Sequence, residues 1–99
     1  MLLGYGAVAL RGKDEAGEDW AEVKRMFVAP AARGRRLGRL ILDRLIAHAA
    51  AEGVAVLRLE SGSKQPESHG LYASVGFVRR SPFADYPDDP LSVYMEKRL

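Results

Sequence analysis

Residues 20–60 constrain the fold more than any other part of this chain. Residues 20–28 alternate in the manner of a strand, and apolar groups on both of its faces indicate that helices cover it on both sides. Pro30 ends this strand, and an arginine- and glycine-rich turn then opens a helix with apolar residues at three- and four-residue spacing. Gly53 ends the helix, and the nearly unbroken apolar run at 54–60 is typical of a central parallel strand. The segment therefore predicts one β-α-β unit.

The flanking segments predict four more elements on the same sheet. Residues 2–11 have the composition of a strand, which a polar turn with two glycines joins to the next strand as a hairpin. Pro66 opens a short helix that Gly76 ends. Short strands are predicted at 77–80 and at 91–99, with a loop rich in proline and aspartate between them. The expected fold is α/β in the order β-β-α-β-α-β-β, as one domain.

The composition narrows the kind of protein. Apolar residues make up 47% and charged residues 28%, the balance of an ordinary globular protein, and the absence of cysteine excludes disulfides and thiolate metal sites. No apolar run approaches the roughly 20 residues that cross a bilayer, so no membrane partner is expected. Residues 1–10 predict a strand and not a signal peptide, which favours a cytoplasmic protein. We interpret His48 as structural and His69 as a surface residue, and predict no metal site.

Four arginines stand within seven positions in the turn at residues 33–39. The first backbone N–H groups of a helix have no intrahelical partner, and cations there are unfavourable by roughly 0.3–1 kcal/mol each. An anionic ligand would offset that repulsion, and Gly34 and Gly38 allow its close approach, so the turn predicts a phosphate or pyrophosphate site. A solvated basic helix start is the alternative. We expect no nucleic-acid partner, because no aromatic platform accompanies the arginines and two acidic stretches would repel phosphates.

Two motifs resemble those of the GNAT superfamily of acyl-coenzyme A N-acyltransferases. The stretch VKRMFVAPAARGRRLGRLIL, residues 23–42, is similar to that family's strand, pyrophosphate loop and helix. Arg33 and Gly38 match the first and last positions of the loop pattern, whereas Arg36 stands where the middle glycine usually is. The second motif lies in and after the short helix and matches at Leu71, Tyr72, Gly76 and Phe77. The closing strand pair also fits, so that the resemblance covers residues 2–99.

The resemblance implies the acyl-CoA N-acyltransferase fold, a mixed and mostly antiparallel sheet flanked by helices. It implies transfer of an acetyl group from acetyl-coenzyme A to a primary amine. The family's first strand and two helices, which form one wall of the acceptor site, have no counterpart here. We therefore expect a homodimer, since an open sheet edge is prone to association. A coenzyme A-binding module without its acceptor wall, catalytically weak, is the alternative function.

The resemblance also assigns roles to residues. Those expected to hold the cofactor are Met26, Phe27 and Val28 for the pantetheine arm, and Arg33, Gly34, Arg35, Arg36, Leu37, Gly38 and Arg39 for the pyrophosphate. Tyr72 is the expected general acid that protonates the leaving thiolate. Glu22 matches the general base of some relatives, or is a half-exposed strand glutamate paired with Lys24 or Arg25. Loop residues that could border the acceptor are Gln65, Glu67, Asp85 and Tyr86.

Overall fold

The described part of the chain forms five strands and two helices in the predicted order. The computed structural model describes residues 4–28, 37–63 and 66–99. Its elements are β1 (Gly4–Lys13), β2 (Asp19–Val28), α1 (Leu37–Ala51), β3 (Val56–Gly62), α2 (Pro66–Ser74), β4 (Val78–Arg80) and β5 (Ser92–Arg98). Glycines with positive φ lie just after both helices, Gly53 at 82° and Gly76 at 101°, as expected of helix stops. Among the described residues, no helix is long and apolar enough to cross a membrane.

The strands form one sheet in the order β1-β2-β3-β5-β4. Only the central pair, β2 with β3, is parallel, and the other three pairs are antiparallel. Helix α1 is the crossover that joins the two parallel strands, as such a pair requires. The predicted mixed and mostly antiparallel sheet is confirmed.

The two faces of the sheet are covered in different ways. On one face, here called the helix face, α1 and α2 pack against the sheet, and the buried core includes Ala21, Val23, Leu42, Ala49, Leu57, Leu59, Tyr72 and Met95. On the opposite face, here called the loop face, Trp20, Val56 and Tyr94 are buried under Phe83 of the loop that joins β4 to β5. The Phe83 ring meets Trp20 edge-on at 5.6 Å and Tyr94 at 5.7 Å between centroids.

The expectation that helices cover β2 on both sides is wrong for the described part of the chain. Both described helices lie on the helix face, and the proline- and aspartate-rich loop supplies the cover of the other face. Aromatic side chains bury a large apolar area each, so a short loop carrying Phe83 and Tyr86 can cover a face that otherwise needs a helix.

A chain of ion pairs fastens the loop face together. Arg58 of β3 donates to Asp14 in the β1–β2 turn at 2.9 Å and to Glu96 of β5 at 2.8 Å, and Arg80 of β4 also donates to Glu96 at 2.6 Å. Burial alone would raise the pKa of Glu96, but the two guanidinium groups hold it below its ordinary value. These groups satisfy one another, which indicates a structural role for this cluster.

Candidate active site

The sheet opens into a fork between its two parallel strands. β2 and β3 pair only at Trp20–Val56, Ala21–Leu57 and Glu22–Arg58. Beyond these three pairs, β2 continues to Val28 and β3 to Gly62 without further pairing between them. Backbone N–H and C=O groups inside such an opening can pair with an extended ligand in the way that an added strand does. The split at the end of β2 lies where the sequence places it, and its cofactor contacts at Met26, Phe27 and Val28 stay a prediction.

Glu22 lies at the apex of this fork and is buried on the loop face. Glu22 is only 2% exposed, so the half-exposed position expected from the sequence is wrong. Its pairing with Lys24 is confirmed, with Nζ at 3.2 Å from Oε2. Two further partners of Glu22 were not expected from the sequence. Arg11 donates from Nη2 to Oε1 of Glu22 at 3.0 Å, and the Tyr86 hydroxyl donates to Oε2 at 2.5 Å. Three donors thus fix this carboxylate in place.

These contacts set the ionisation of the cluster. Burial alone would raise the pKa of Glu22, but hydrogen bonds from Tyr86, Lys24 and Arg11 outweigh it and hold that pKa below its ordinary value. The bond to Glu22, with burial, raises the pKa of Tyr86. The bonds to Tyr86 and Glu22 raise the pKa of Lys24. At neutral pH the cluster therefore holds a carboxylate, an ammonium, a guanidinium and a protonated phenol.

We expect Glu22→Gln to make the protein less sensitive to acid. Because the folded pKa of Glu22 lies below the ordinary 4.5, its pairing stabilises the fold fully above that pH and is lost as pH falls through the folded pKa. Removing the charge should lower the free energy of unfolding by about 1–2 kcal/mol at pH 7. The loss is no larger because two of the three donors, Arg11 and Lys24, are partly solvated. Urea unfolding at pH 7 and at pH 3 measures both effects.

The matched control for this experiment is Glu52→Gln, because Glu52 is exposed just after the last turn of α1. It should leave the pH dependence of the unfolding free energy as it is in the wild type. An equal loss of stability on acidification in the Glu22→Gln variant and the wild type would contradict the assignment.

Tyr72 lies on the opposite face of the sheet from Glu22. It is 7% exposed, on α2, and packs edge-on against Phe77 at 5.8 Å between ring centroids. Burial raises the pKa of its hydroxyl, which is therefore protonated at neutral pH. Within the described ranges this hydroxyl has no hydrogen-bond partner. The two predicted catalytic residues therefore lie on opposite faces of the sheet.

The two histidines occupy places opposite to those expected. His69 is buried, with Nε2 at 2.9 Å from the carbonyl oxygen of Gly62, so its assignment to the surface is wrong. It stands three residues before Tyr72 and therefore shares the buried side of α2. His48 is exposed, so its structural role is wrong, because its neighbour Ala49 takes the buried position on α1.

A groove of about 540 Å³ runs between α1 and α2, with Arg39, Asp43, Leu71 and Ser74 in its lining. Arg39 is half-exposed and donates to Asp43 at 3.4 Å. Of the residues expected to hold a pyrophosphate, Leu37, Gly38 and Arg39 form the start of α1. The predictions for Arg33, Gly34, Arg35 and Arg36 lie outside the described residues. The groove places Arg39 beside the helix that carries Tyr72.

On the loop face, a separate pocket of about 320 Å³ reaches Glu22. Its lining comprises Arg11, Trp20, Glu22, Ala84, Asp85, Tyr86 and Pro87. Asp85 and Tyr86 thus lie beside Glu22, and their place at the acceptor stays a prediction. Gln65 and the side chain of Glu67 lie outside the described part. The described residues therefore form a groove between the two helices and a separate pocket on the loop face.

Comparisons with known proteins agree with this architecture. The Acetyltransferase (GNAT) family matches residues 2–77. An IAA acetyltransferase of Azospirillum brasilense is 46% identical over 98 residues, which cover 99% of this chain and 61% of that protein. The crystal structure of a putative acyl-CoA N-acyltransferase from Klebsiella pneumoniae is 41% identical with a TM-score of 0.87, covering 98% of this chain and 63% of that one.

A more distant structure shares the fold alone. The NatC complex, solved with a Gag peptide and CoA, superposes with a TM-score of 0.83 at 16% identity, over 98% of this chain and 61% of that one. The chain spans about three fifths of the length of these relatives. Because the family match covers more than half of the residues, the chain belongs to the GNAT family of acetyltransferases.

Proposed function

We propose that this protein is an acetyl-coenzyme A-dependent N-acetyltransferase that acts on a primary amine. The observation that carries the proposal is the fork between β2 and β3, with Glu22 at its apex on one face and Tyr72 on the other. Family membership and the 46% identity to an acetyltransferase support it. The homodimer and the cytoplasmic location stay predictions.

The described residues fit the cofactor at two places. The unpaired side of β2 beyond Glu22 offers backbone donors and acceptors to an extended chain with amide groups, such as pantetheine. The first turn of α1, which carries Arg39, suits phosphate oxygens because helix N-termini and guanidinium groups both bind anions. When bound, acetyl-coenzyme A supplies a thioester whose acetyl carbon leaves sulfur and bonds to the acceptor nitrogen, with one proton going to sulfur and one to solvent.

Tyr72 is the proposed source of the proton for sulfur. Its hydroxyl is protonated because burial raises its pKa, and no described residue competes for that proton. The neighbouring His69 bonds to the carbonyl of Gly62 and so fixes α2 against the end of β3. Among the described residues, the position of the Tyr72 hydroxyl is set by the packing of its ring.

Glu22 holds the acceptor's ammonium group more readily than it takes a proton from it. An alkylammonium has a pKa of about 10, whereas the pKa of Glu22 lies below 4.5, so direct transfer between them costs at least about 7 kcal/mol. We therefore assign Glu22 the binding and orientation of the amine at the fork, with water carrying its proton to solvent. This assignment refines the general-base role that the family resemblance implies.

The proposal predicts that acetyl-coenzyme A stabilises the protein against heat. A ligand at 100 times its dissociation constant adds about 2.7 kcal/mol, which raises the melting midpoint of a domain of this size by roughly 10–20 °C. A thermal-shift titration measures it, with ATP at equal concentration to test whether any polyphosphate suffices. The release of free thiol is then measured with a panel of amines.

Two results would contradict the proposal in different ways. If millimolar acetyl-coenzyme A does not stabilise the protein, acetyl-coenzyme A is not its cofactor. Stabilisation without thiol release from any amine would favour the alternative of a coenzyme A-binding module.

A further inference from the structure

We propose that the acceptor is a free α-amino acid with an apolar side chain, held by its two charged groups on Glu22 and Arg11. The inference rests on the proposed acetyltransferase function and names the class of amine that the loop-side pocket selects. Three observations support it: donors of Arg11 and a lone pair of Glu22 that no described residue uses, and the apolar lining of the pocket.

Arg11 presents a partly used guanidinium to the pocket. It occupies an irregularity of β1, where the pairing with β2 shifts between Leu10 and Gly12, and Gly12 has a φ of 79° that favours glycine. Only Nη2 is bonded within the described residues, to Glu22, and the side chain is 42% exposed. Its remaining N–H groups form the planar fork that binds a carboxylate with two parallel hydrogen bonds.

Glu22 keeps one acceptor position next to that guanidinium. Its Oε2 already accepts from Tyr86 and Lys24, whereas among the described residues Oε1 accepts from Arg11 alone. Each carboxylate oxygen has two lone pairs, so Oε1 can accept one more donor, such as an ammonium N–H. The ammonium and carboxylate of an α-amino acid are attached to one carbon, and the ion pair of Glu22 with Arg11 offers adjacent partners of opposite charge.

The rest of the pocket selects the side chain and the size of the acceptor. Trp20, Ala84, Pro87 and the Tyr86 ring supply apolar walls. A volume of about 320 Å³ lies at the low end of small-molecule sites, roughly 300–1,000 Å³, which suits one amino acid and not a polymer. The charge of Asp85, on an exposed residue, is screened by solvent. A simple amine or a peptide N-terminus would leave the Arg11 fork without its anion.

The experiment compares acceptors that differ only in the carboxylate. L-leucine, L-leucinamide and isoamylamine share the same branched chain and a primary amine. With wild-type protein and acetyl-coenzyme A, we expect kcat/KM from thiol release to be at least 10-fold higher for leucine than for the other two. Arg11→Gln should bring this ratio to about one, and Arg11→Lys, which keeps the charge without the fork, should give an intermediate value.

Comparing ratios within each variant separates carboxylate recognition from any effect of Arg11 on Glu22, because all three acceptors need Glu22 equally. Lys13→Gln is the matched control, since Lys13 is an exposed cation of the same strand that pairs with Asp19. It should keep the wild-type ratio. Equal or better use of isoamylamine or leucinamide by the wild type would overturn the inference, and so would an Arg11→Gln variant that still prefers leucine.

A binding measurement decides the question without turnover. Trp20 is the sole tryptophan and lines the pocket, so its fluorescence reports occupancy directly. In the presence of coenzyme A, leucine should change this signal at concentrations at least 10-fold lower than isoamylamine does, and Arg11→Gln should abolish the difference. If no amine releases thiol, the proposed function fails while this titration still tests the amino-acid site. A titration with no preference for leucine would reject the site.

Discussion

Replacing Tyr72 with phenylalanine is expected to lower kcat by about 10²-fold or more while acetyl-coenzyme A affinity stays within about twofold. General acid catalysis typically contributes about 10²–10⁴-fold, and the change removes only the hydroxyl that would supply the proton. The phenylalanine ring keeps the edge-on contact with Phe77, so the packing of α2 is retained. Steady-state thiol release gives kcat, and a thermal-shift titration gives cofactor affinity.

Stability provides the control for this variant. Because the Tyr72 hydroxyl has no hydrogen-bond partner among the described residues, its removal should change the free energy of unfolding by less than about 0.5 kcal/mol. A fall in kcat with unaltered stability then reports on chemistry and not on folding. Turnover equal to that of the wild type would show that another group protonates the thiolate.

Replacing Leu57 with alanine is expected to destabilise the fold by about 2–5 kcal/mol. Leu57 is 0% exposed and lies in the central strand β3, packed in the core of the helix face. Truncation removes apolar contacts and leaves a cavity that a close-packed core fills only in part. The free energy of unfolding of a domain of this size is about 5–15 kcal/mol, so the side chain of Leu57 accounts for a large share of it. Urea unfolding at constant pH measures the loss.

Leu91→Ala is the matched control, because the same atoms are removed from a residue that is 62% exposed. Its effect should stay within about 0.5 kcal/mol. Similar losses for the two variants would mean that the helix face does not hold the main core. The difference between them isolates burial, since the chemical change is identical.

The order of elements was predictable because its signals are local. Gly53 and Gly76 end elements through their own backbone preferences, and the apolar run before Gly62 marks a buried strand by itself. The placement of both described helices on one face was not predictable from the sequence. It depends on Phe83, a loop residue whose ring packs on strands that are distant in the sequence. Local spacing carries no information on such a contact.

The candidate site divides in the same way. Glu22 and Lys24 are two residues apart on one strand, and their pairing follows from alternation. Arg11 and Tyr86 are separated from Glu22 by 11 and 64 positions, and only the β1 irregularity and the loop fold bring them together. His69 was misplaced because the carbonyl that it bonds, at Gly62, belongs to another element. Contacts of this kind become visible only once the chain is folded.

The fork also has a mechanical consequence. One half of the sheet is β1 with β2, the other is β3 with β5 and β4, and three residue pairs at the closed end join them. At that end the ion pair of Arg98 with Glu18 also spans the two halves. Widening the open end breaks no hydrogen bond between strands, because none exists there to break. An extended ligand that enters this opening therefore displaces no strand pairing.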